Sequence, residues 1–288
     1  MWETGSKAAM AQLAGQPPQL SILVPVYNEA RNVKPMVREV AAALAGLNLA
    51  YELVFIDDGS KDDTWAEILE ASRAHAEVRG LRHRQNRGQS AAVWTGLLKT
   101  STPLVATLDG DLQNDPADIP RCLSELAGAD FICGVRVNRR DTRLRRFSST
   151  IARWTRKLFL GVDFQDTGCA LRVFKRELTG HLIPFNGMHR FLPLLAHWGG
   201  AVVKEIPINH RPRQFGVSKY GVWNRLGRGL ADVVALLWYR RRCLFQVASR
   251  NAQGQWVLFS EAQKAALVET SGPGSPAEAR PGERSDPA

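Results

Sequence analysis

Several familiar signatures are missing from this sequence, and each absence removes a class of function. The four cysteines, Cys122, Cys133, Cys169 and Cys243, lie far apart without a CxxC pair. Neither a zinc centre nor a disulfide framework is encoded, and reduced thiols are expected. A Walker sequence and a GxGxxG fingerprint are both lacking, which removes the main support for ATPase and NAD-dependent chemistry. In the second half the longest strictly apolar run is "VVALLW", far short of the roughly 20 residues a spanning helix needs. The N-terminal "MWETGSKAAMAQLAGQPPQ" has no basic start followed by an apolar core, so no signal peptide is expected. Histidines stand singly without ligand spacing, and His189 and His210 are read as structural.

What is present is a chain of 288 residues, 44% hydrophobic, able to bury a full core, with an uneven net charge of +10. From Gly134 to Leu160 nine Lys or Arg face one acid, Asp141, and from Lys204 to Arg242 nine face Glu205 and Asp232, leaving the remainder net negative. Such clustering predicts an anionic partner: nucleic acid, a phosphorylated ligand or a membrane surface.

Short β-rich runs alternate with helical patterns over the first 130 residues. Strands are predicted at 20–27, 51–57, 78–84, 103–109 and 129–136, and the near-continuous apolar character of the first, second and fourth marks them as central. Helical spacing of Val33, Met36, Val37, Val40, Ala41 and Leu44 fills the first gap, with Pro35 placed in the first turn. The second helix begins at "KDDTWAEIL", capped by Asp62 or Asp63 with Trp65, Ile68 and Leu69 inward; a third follows Gly88 and a fourth begins near Pro116. The rhythm predicts an α/β fold with a mostly parallel sheet and helices on both faces. Domain boundaries are read as a flexible N-terminus (1–18), one domain (19–245), an extension (246–268) and a Pro- and Gly-rich disordered tail (269–288).

Two later stretches read as amphipathic helices, basic and carrying Trp. Residues 146–160 place Phe147, Ile151, Trp154 and Leu158 on one stripe; residues 222–242 do so with Trp223, Leu226, Leu230, Val233, Val234 and Leu237. Such helices lie in a membrane interface or pack on the core.

In open parallel sheets ligands bind beyond the carboxyl ends of the strands, and four polar clusters fall there: "PVYNE", "DDGS", "NRGQS" and "DGDLQ". The last places Asp109 and Asp111 one residue apart, with Gln113 following. Such a pair presents oxygens to a hard divalent cation without enclosing it, and a diphosphate completes the shell. Asp57 and Asp58 can accept from a ribose hydroxyl or a base NH, and the helix opened by "RGQSAA", beside Arg87, favours an anion. Further on, "QDTGCALRVFKRE" offers Asp166 in a turn, and "HRPRQFGVSKYG" offers Arg211, Arg213 and Lys219, side chains suited to phosphate oxygens.

As an ordered set, "SILVPVYNE", "VFIDDGSKDDT", "RQNRGQSAAVWTGL", "LDGDLQNDP", "QDTGCALRVFKRE" and "HRPRQFGVSKYG" resemble the family 2 inverting glycosyltransferases of the GT-A (Rossmann-like) fold, of the dolichol-phosphate mannose synthase and polyprenyl-phosphate sugar synthase type. The resemblance implies that Pro25, Tyr27, Glu29 and Asp57 or Asp58, with Arg87 and Gly88, surround the nucleotide. It implies that Asp109 sits near the ribose and metal, and that Asp111 and Gln113 hold the Mg²⁺ or Mn²⁺ carrying the donor diphosphate. Acceptor phosphate or leaving diphosphate would meet Arg136, Arg145, Arg146, Ser149, Arg213 and Lys219. The implied reaction moves a sugar from GDP-mannose or a UDP-hexose to a polyprenyl phosphate, which needs no strong base; a hydroxyl acceptor, as in polysaccharide elongation, would need one, and Asp166 is the candidate. Many bacterial relatives append transmembrane helices and none is read here, so attachment as a peripheral enzyme on the inner cytoplasmic face would fall to the amphipathic helices. Nucleic-acid binding would explain the basic stretches but not the four loops at one sheet edge, and no RNA-binding fingerprint appears.

Overall fold

The computed structural model describes residues 17–137, 161, 163–213, 222–242, 249–250 and 256–257. The chain divides in sequence into two compact units, Met1–Gln246 and Val247–Ala288. In the first, β1 (Leu20–Val26), α1 (Ala30–Leu44), β2 (Tyr51–Asp57), α2 (Thr64–Ala74), β3 (Val78–Arg82), α3 (Gln89–Lys99) and β4 (Leu104–Thr107) alternate as the sequence rhythm predicts. There follow a 3₁₀ turn (Pro116–Asp118), α4 (Ile119–Glu125), β5 (Phe131–Arg136), β6 (Arg172–Lys175), α5 (Leu192–Trp198), β7 (Val203–Ile208) and α6 (Val222–Arg242). The second unit contains β8 (Ser249–Arg250) and β9 (Trp256–Val257), paired antiparallel.

Seven strands form one sheet in the order β3-β2-β1-β4-β6-β5-β7. β6 runs antiparallel to both its neighbours, β4 and β5, and every other pairing is parallel. The central strands carry the apolar runs: Leu20, Ile22, Leu23 and Val24 of β1 and Val54 and Ile56 of β2 have no exposed surface. Strands covered on both faces need apolar side chains at every position.

Local chemistry explains the connections. α1 buries Val33, Met36, Val37, Val40 and Leu44 at helical spacing. It begins at Ala30, so Pro35 falls in the second turn, not the first, and costs the helix one backbone bond. At α2 the N-cap position is Asp63, whose side chain makes no cap bond, while Asp62 Oδ1, one residue earlier, accepts from Thr64 N at 3.1 Å. Of the side chains expected inward there, Ile68 is buried while Trp65 and Leu69 are only half-buried. Trp65 carries the Arg82 guanidinium 5.5 Å above its ring. Cys122, Cys133 and Cys169 are free and buried; burial pushes their thiols up to about 12, 11 and 12. Such cysteines are inert.

α6 spans the residues expected of the second amphipathic helix, and from residue 231 on, where side chains are described, the expected stripe is split between buried and exposed positions. Val233 and Leu236 are buried, while Val234 is 59% and Trp238 64% exposed. The stripe expected at 146–160 lies outside the described residues.

Candidate functional site

All parallel strands end at one edge of the sheet, and the loops leaving β1, β2, β3 and β4 are laced together there. Asn28, at φ +53, donates its N–H to Ser60 Oγ (2.8 Å), and Asn28 Oδ1 accepts from Lys61 N (2.8 Å). Glu29 N donates to Thr64 Oγ1 at 2.8 Å. These bonds join "PVYNE", holding Pro25, Tyr27 and Glu29, to "DDGS". Within the latter, Asp57 Oδ1 accepts from Ser60 N (2.8 Å). Arg82 Nε lies 3.0 Å from Asp57 Oδ2, near enough for an ion pair but off the hydrogen-bond axis, so that oxygen is buried without a donor.

Asp58 organises the loop after β3. Its Oδ1 accepts from Arg87 N (2.9 Å) and lies 2.7 Å from His83 Nδ1, and its Oδ2 accepts from Gly88 N (2.7 Å). The structure thus brings Asp58, Arg87 and Gly88 together, with Asp58 spending both oxygens on the loop. A cavity of about 620 Å³ opens between this loop and α3, lined by Arg82, His83, Arg84, Arg87, Trp94 and Thr95 among others.

The loop after β4 carries the paired acids. Gly110 fits because it has no side chain: a Cβ there would lie 2.5 Å from Val26 Cγ1 and 3.1 Å from the Pro25 carbonyl oxygen. Leu112 is fully buried at φ +60, a left-handed conformation unusual for a bulky residue and typical of strain held at functional sites. Burying that side chain offsets the strain. Asp109 Oδ1 accepts from Gln89 Nε2 at 2.7 Å. Desolvation and the neighbouring Asp111 carboxylate push Asp109 up to about 6, against the opposing pull of Arg172, Arg136 and Gln89.

Arg213 answers from the segment after β7. Its Nη2 lies 2.6 Å from Asp111 Oδ2 and its Nη1 3.6 Å from Glu29 Oε1. Backbone bonds hold that segment in place: Arg211 N donates to the Gln113 carbonyl (2.8 Å), and Asn114 pairs with His210 as an isolated bridge. His210 is structural in this sense.

Asp166 sits in a tight turn before β6 and is gripped by Arg136: Nε to Oδ2 at 2.7 Å and Nη2 to Oδ1 at 2.8 Å, with Arg136 N also reaching Oδ2 at 3.3 Å. Gly168 N adds a bond to Oδ1 at 3.2 Å. Lys219, Arg145, Arg146 and Ser149 lie outside the described residues. Three side chains at the site were not expected: Gln89 on Asp109, the buried Arg172 near it, and His189, 2.6 Å from Ser90 Oγ. A charged residue inside the apolar run "CALRVF" was the available signal for Arg172.

A divalent cation suits these groups. Two hard carboxylates stand one residue apart, burial and then the neighbouring Asp111 raise Asp109, and a guanidinium already sits as a cation against Asp111. Among the described residues no group of three or more His, Cys, Asp or Glu side chains could enclose an ion.

Residues 21–181 match the description of Glycosyl transferase family 2. The chain belongs to that family and is a glycosyltransferase. Dodecaprenyl-phosphate galacturonate synthase of Rhizobium johnstonii is 36% identical over 232 residues, covering 77% of this chain and 68% of that one. Undecaprenyl-phosphate 4-deoxy-4-formamido-L-arabinose transferase of Salmonella enteritidis is 34% identical over 221 residues, covering 76% and 67%. Among solved structures, glucosyl-3-phosphoglycerate synthase from Mycobacterium tuberculosis with Mg²⁺ and UDP superposes with a TM-score of 0.58 at 22% identity, covering 82% of this chain and 83% of that one. The same enzyme with Mn²⁺, UDP and glucosyl-3-phosphoglycerate gives 0.56 at 20%, covering 82% and 83%. The fold is the GT-A arrangement.

Proposed function

We propose that the chain transfers a sugar from a nucleotide diphosphate donor, GDP-mannose or a UDP-hexose, to a polyprenyl phosphate, with inversion at the anomeric carbon. The observation that carries this reading is the Arg213 guanidinium seated between Asp111 and Glu29, a cation at the meeting of three loops where a diphosphate would arrive. Polyprenyl-phosphate chemistry in the names of both relatives supports the acceptor. Asp109, Asp111 and Gln113 would hold Mg²⁺ or Mn²⁺, which when bound offsets charge on the departing diphosphate. Arg213, with Lys219 from the neighbouring sequence, meets the same leaving charge.

A phosphate monoester is already anionic near neutrality, with a second pKa of about 6 judging by phosphorylated side chains. It needs orientation more than a base. The bidentate Arg136 grip on Asp166 agrees with this, because a carboxylate so held is poorly placed to take a hydroxyl proton. Arg136 Nη1, outside the grip, together with Arg145, Arg146 and Ser149, is assigned to the acceptor phosphate. The deciding experiment incubates the protein with polyprenyl phosphate and a panel of labelled nucleotide sugars, with and without EDTA. One donor should yield a lipid-linked sugar, lost in EDTA and restored by Mg²⁺ or Mn²⁺. No product from any donor, or full activity in EDTA, sinks the reading.

Approach to the lipid would use α6. No helix among the described residues is long and apolar enough to cross a membrane, but Val234 and Trp238 share an exposed face, one turn before the exposed Arg241 and Arg242. Trp with flanking arginines suits an anionic interface, where each basic residue contributes about 1 kcal/mol. Trp238→Ala should lower flotation with anionic vesicles by about tenfold, roughly 1.4 kcal/mol, leaving soluble donor binding intact. Unchanged flotation would remove α6 from the interface, and retention on RNA at moderate salt would point to nucleic acid instead.

A further inference from the structure

We infer that His189 is a positioning residue for the donor site: through Ser90 it fixes the first turn of α3, and that turn presents Gln89 to Asp109. Ser90 Oγ accepts from Gly187 N at 2.9 Å and lies 2.6 Å from His189 Nδ1. A hydroxyl has one proton and two lone pairs, so with one lone pair engaged by Gly187 the Ser90 oxygen pairs with Nδ1 in either tautomer of the ring, as donor or as acceptor a second time. Burial, with Arg190 and Arg172 adding, lowers His189 to about 3, so a neutral imidazole sits beside the hydroxyl.

The clasp closes a turn already held from two other directions. Asp58 takes the N–H groups of Arg87 and Gly88, and Asp109 takes the Gln89 amide. Residues 87–90 are thus tied to the ends of β2 and β4 and to a loop nearly a hundred positions later in sequence. On its far side that loop lies close to α6. Gly187 stands at φ +113, and a Cβ on it would lie 2.8 Å from Asp232 Oδ2 of α6.

The inference rests on Asp109 belonging to the donor site as proposed above, and its test separates the two. His189→Asn keeps an acceptor at the δ position, whereas His189→Phe keeps the ring's bulk without one. Equilibrium dialysis of UDP and GDP in Mn²⁺ should find His189→Phe weakened about tenfold, the order expected from a buried hydrogen bond, and His189→Asn close to the parent. Gln89→Ala combined with His189→Phe should be no weaker than the worse single variant, since the two act in series. Losses that multiply, or Asn and Phe variants that bind alike, would overturn the inference. Should neither nucleotide bind the parent protein, the donor reading fails alone, and hydrogen exchange at amides 88–92 still decides the clasp. Faster exchange in His189→Phe but not in His189→Asn upholds it; equal exchange in both rejects it. If His189→Phe does not fold, Ser90→Ala carries the exchange comparison against the parent.

Discussion

Replacing Asp111 by asparagine should lower glycosyl transfer by about 10²–10³-fold, the usual cost of removing one preorganised electrostatic group from a reacting centre, while barely moving the melting temperature. Two opposing changes account for the small effect on stability. Arg213 loses its 2.6 Å partner but keeps Glu29 at 3.6 Å. Asp109 is meanwhile relieved of the carboxylate that helps push it up to about 6. The activity loss has no such offset, because a divalent ion and a diphosphate need both charges, and asparagine supplies a neutral oxygen of the same shape. Gln113→Ala, which removes only a neutral group, should cost less. Steady-state rates at saturating Mg²⁺ or Mn²⁺ alongside thermal melts make the comparison, and an Asp111→Asn rate within threefold of the parent would end the metal assignment.

Asp166→Ala should be the most destabilising single change at the site, by about 3–5 kcal/mol, because breaking a buried pair strands the surviving charge. The Asp166 and Arg136 side chains are only 8% and 18% exposed, so solvent screens the stranded guanidinium poorly. Its turn goes with it, since Gly168 N and Arg136 N both bond to the lost carboxylate. Asp166→Asn, which keeps one acceptor, should fall between. Urea unfolding measures the loss, and transfer assays below the melting transition divide the two roles. A structural Asp166 predicts that Asp166→Asn lowers stability more than rate. A thousandfold rate loss with unchanged unfolding would make it a base and favour a hydroxyl acceptor.

What could be read from sequence divides along a physical line. β1, β2 and β4 were legible because strands covered on both faces are apolar throughout, and their loops were legible because the acids sit at the ends of such runs. β6 was missed: "RVFK" is four residues with a charge at each end, and its antiparallel place between β4 and β5 depends on chain returning from far along the sequence. β7 hid for another reason. As an edge strand it mixes exposed Lys204 and Pro207 with buried Ile206 and Ile208 without a clean alternation, and proline is tolerated there because an edge leaves N–H positions unpaired. Asp58, Arg87, Gly88, Asp109 and Arg213 drew notice as residue types within motifs; Gln89 and Arg172 lie in the same motifs, but the pairing of Gln89 with Asp109 20 positions on, like that of His189 with Ser90 99 positions back, depends on the fold. On α6 the apolar residues cover more than one face, and periodicity could not say which turns outward. The structure buries Val233 and Leu236, leaving Val234 and Trp238 on the exposed side.

The strip of backbone bonds between the loop after β4 and the segment after β7, Arg211 N to the Gln113 carbonyl and Asn114 against His210, bears on how specificity can be re-engineered. Residues about a hundred positions apart are stitched into one ribbon, so donor and acceptor preferences are not independent modules to be swapped at will. A chimaera that imports one strip without its partner mismatches the seam, and grafts between relatives should be cut so that 109–115 and 208–213 travel together.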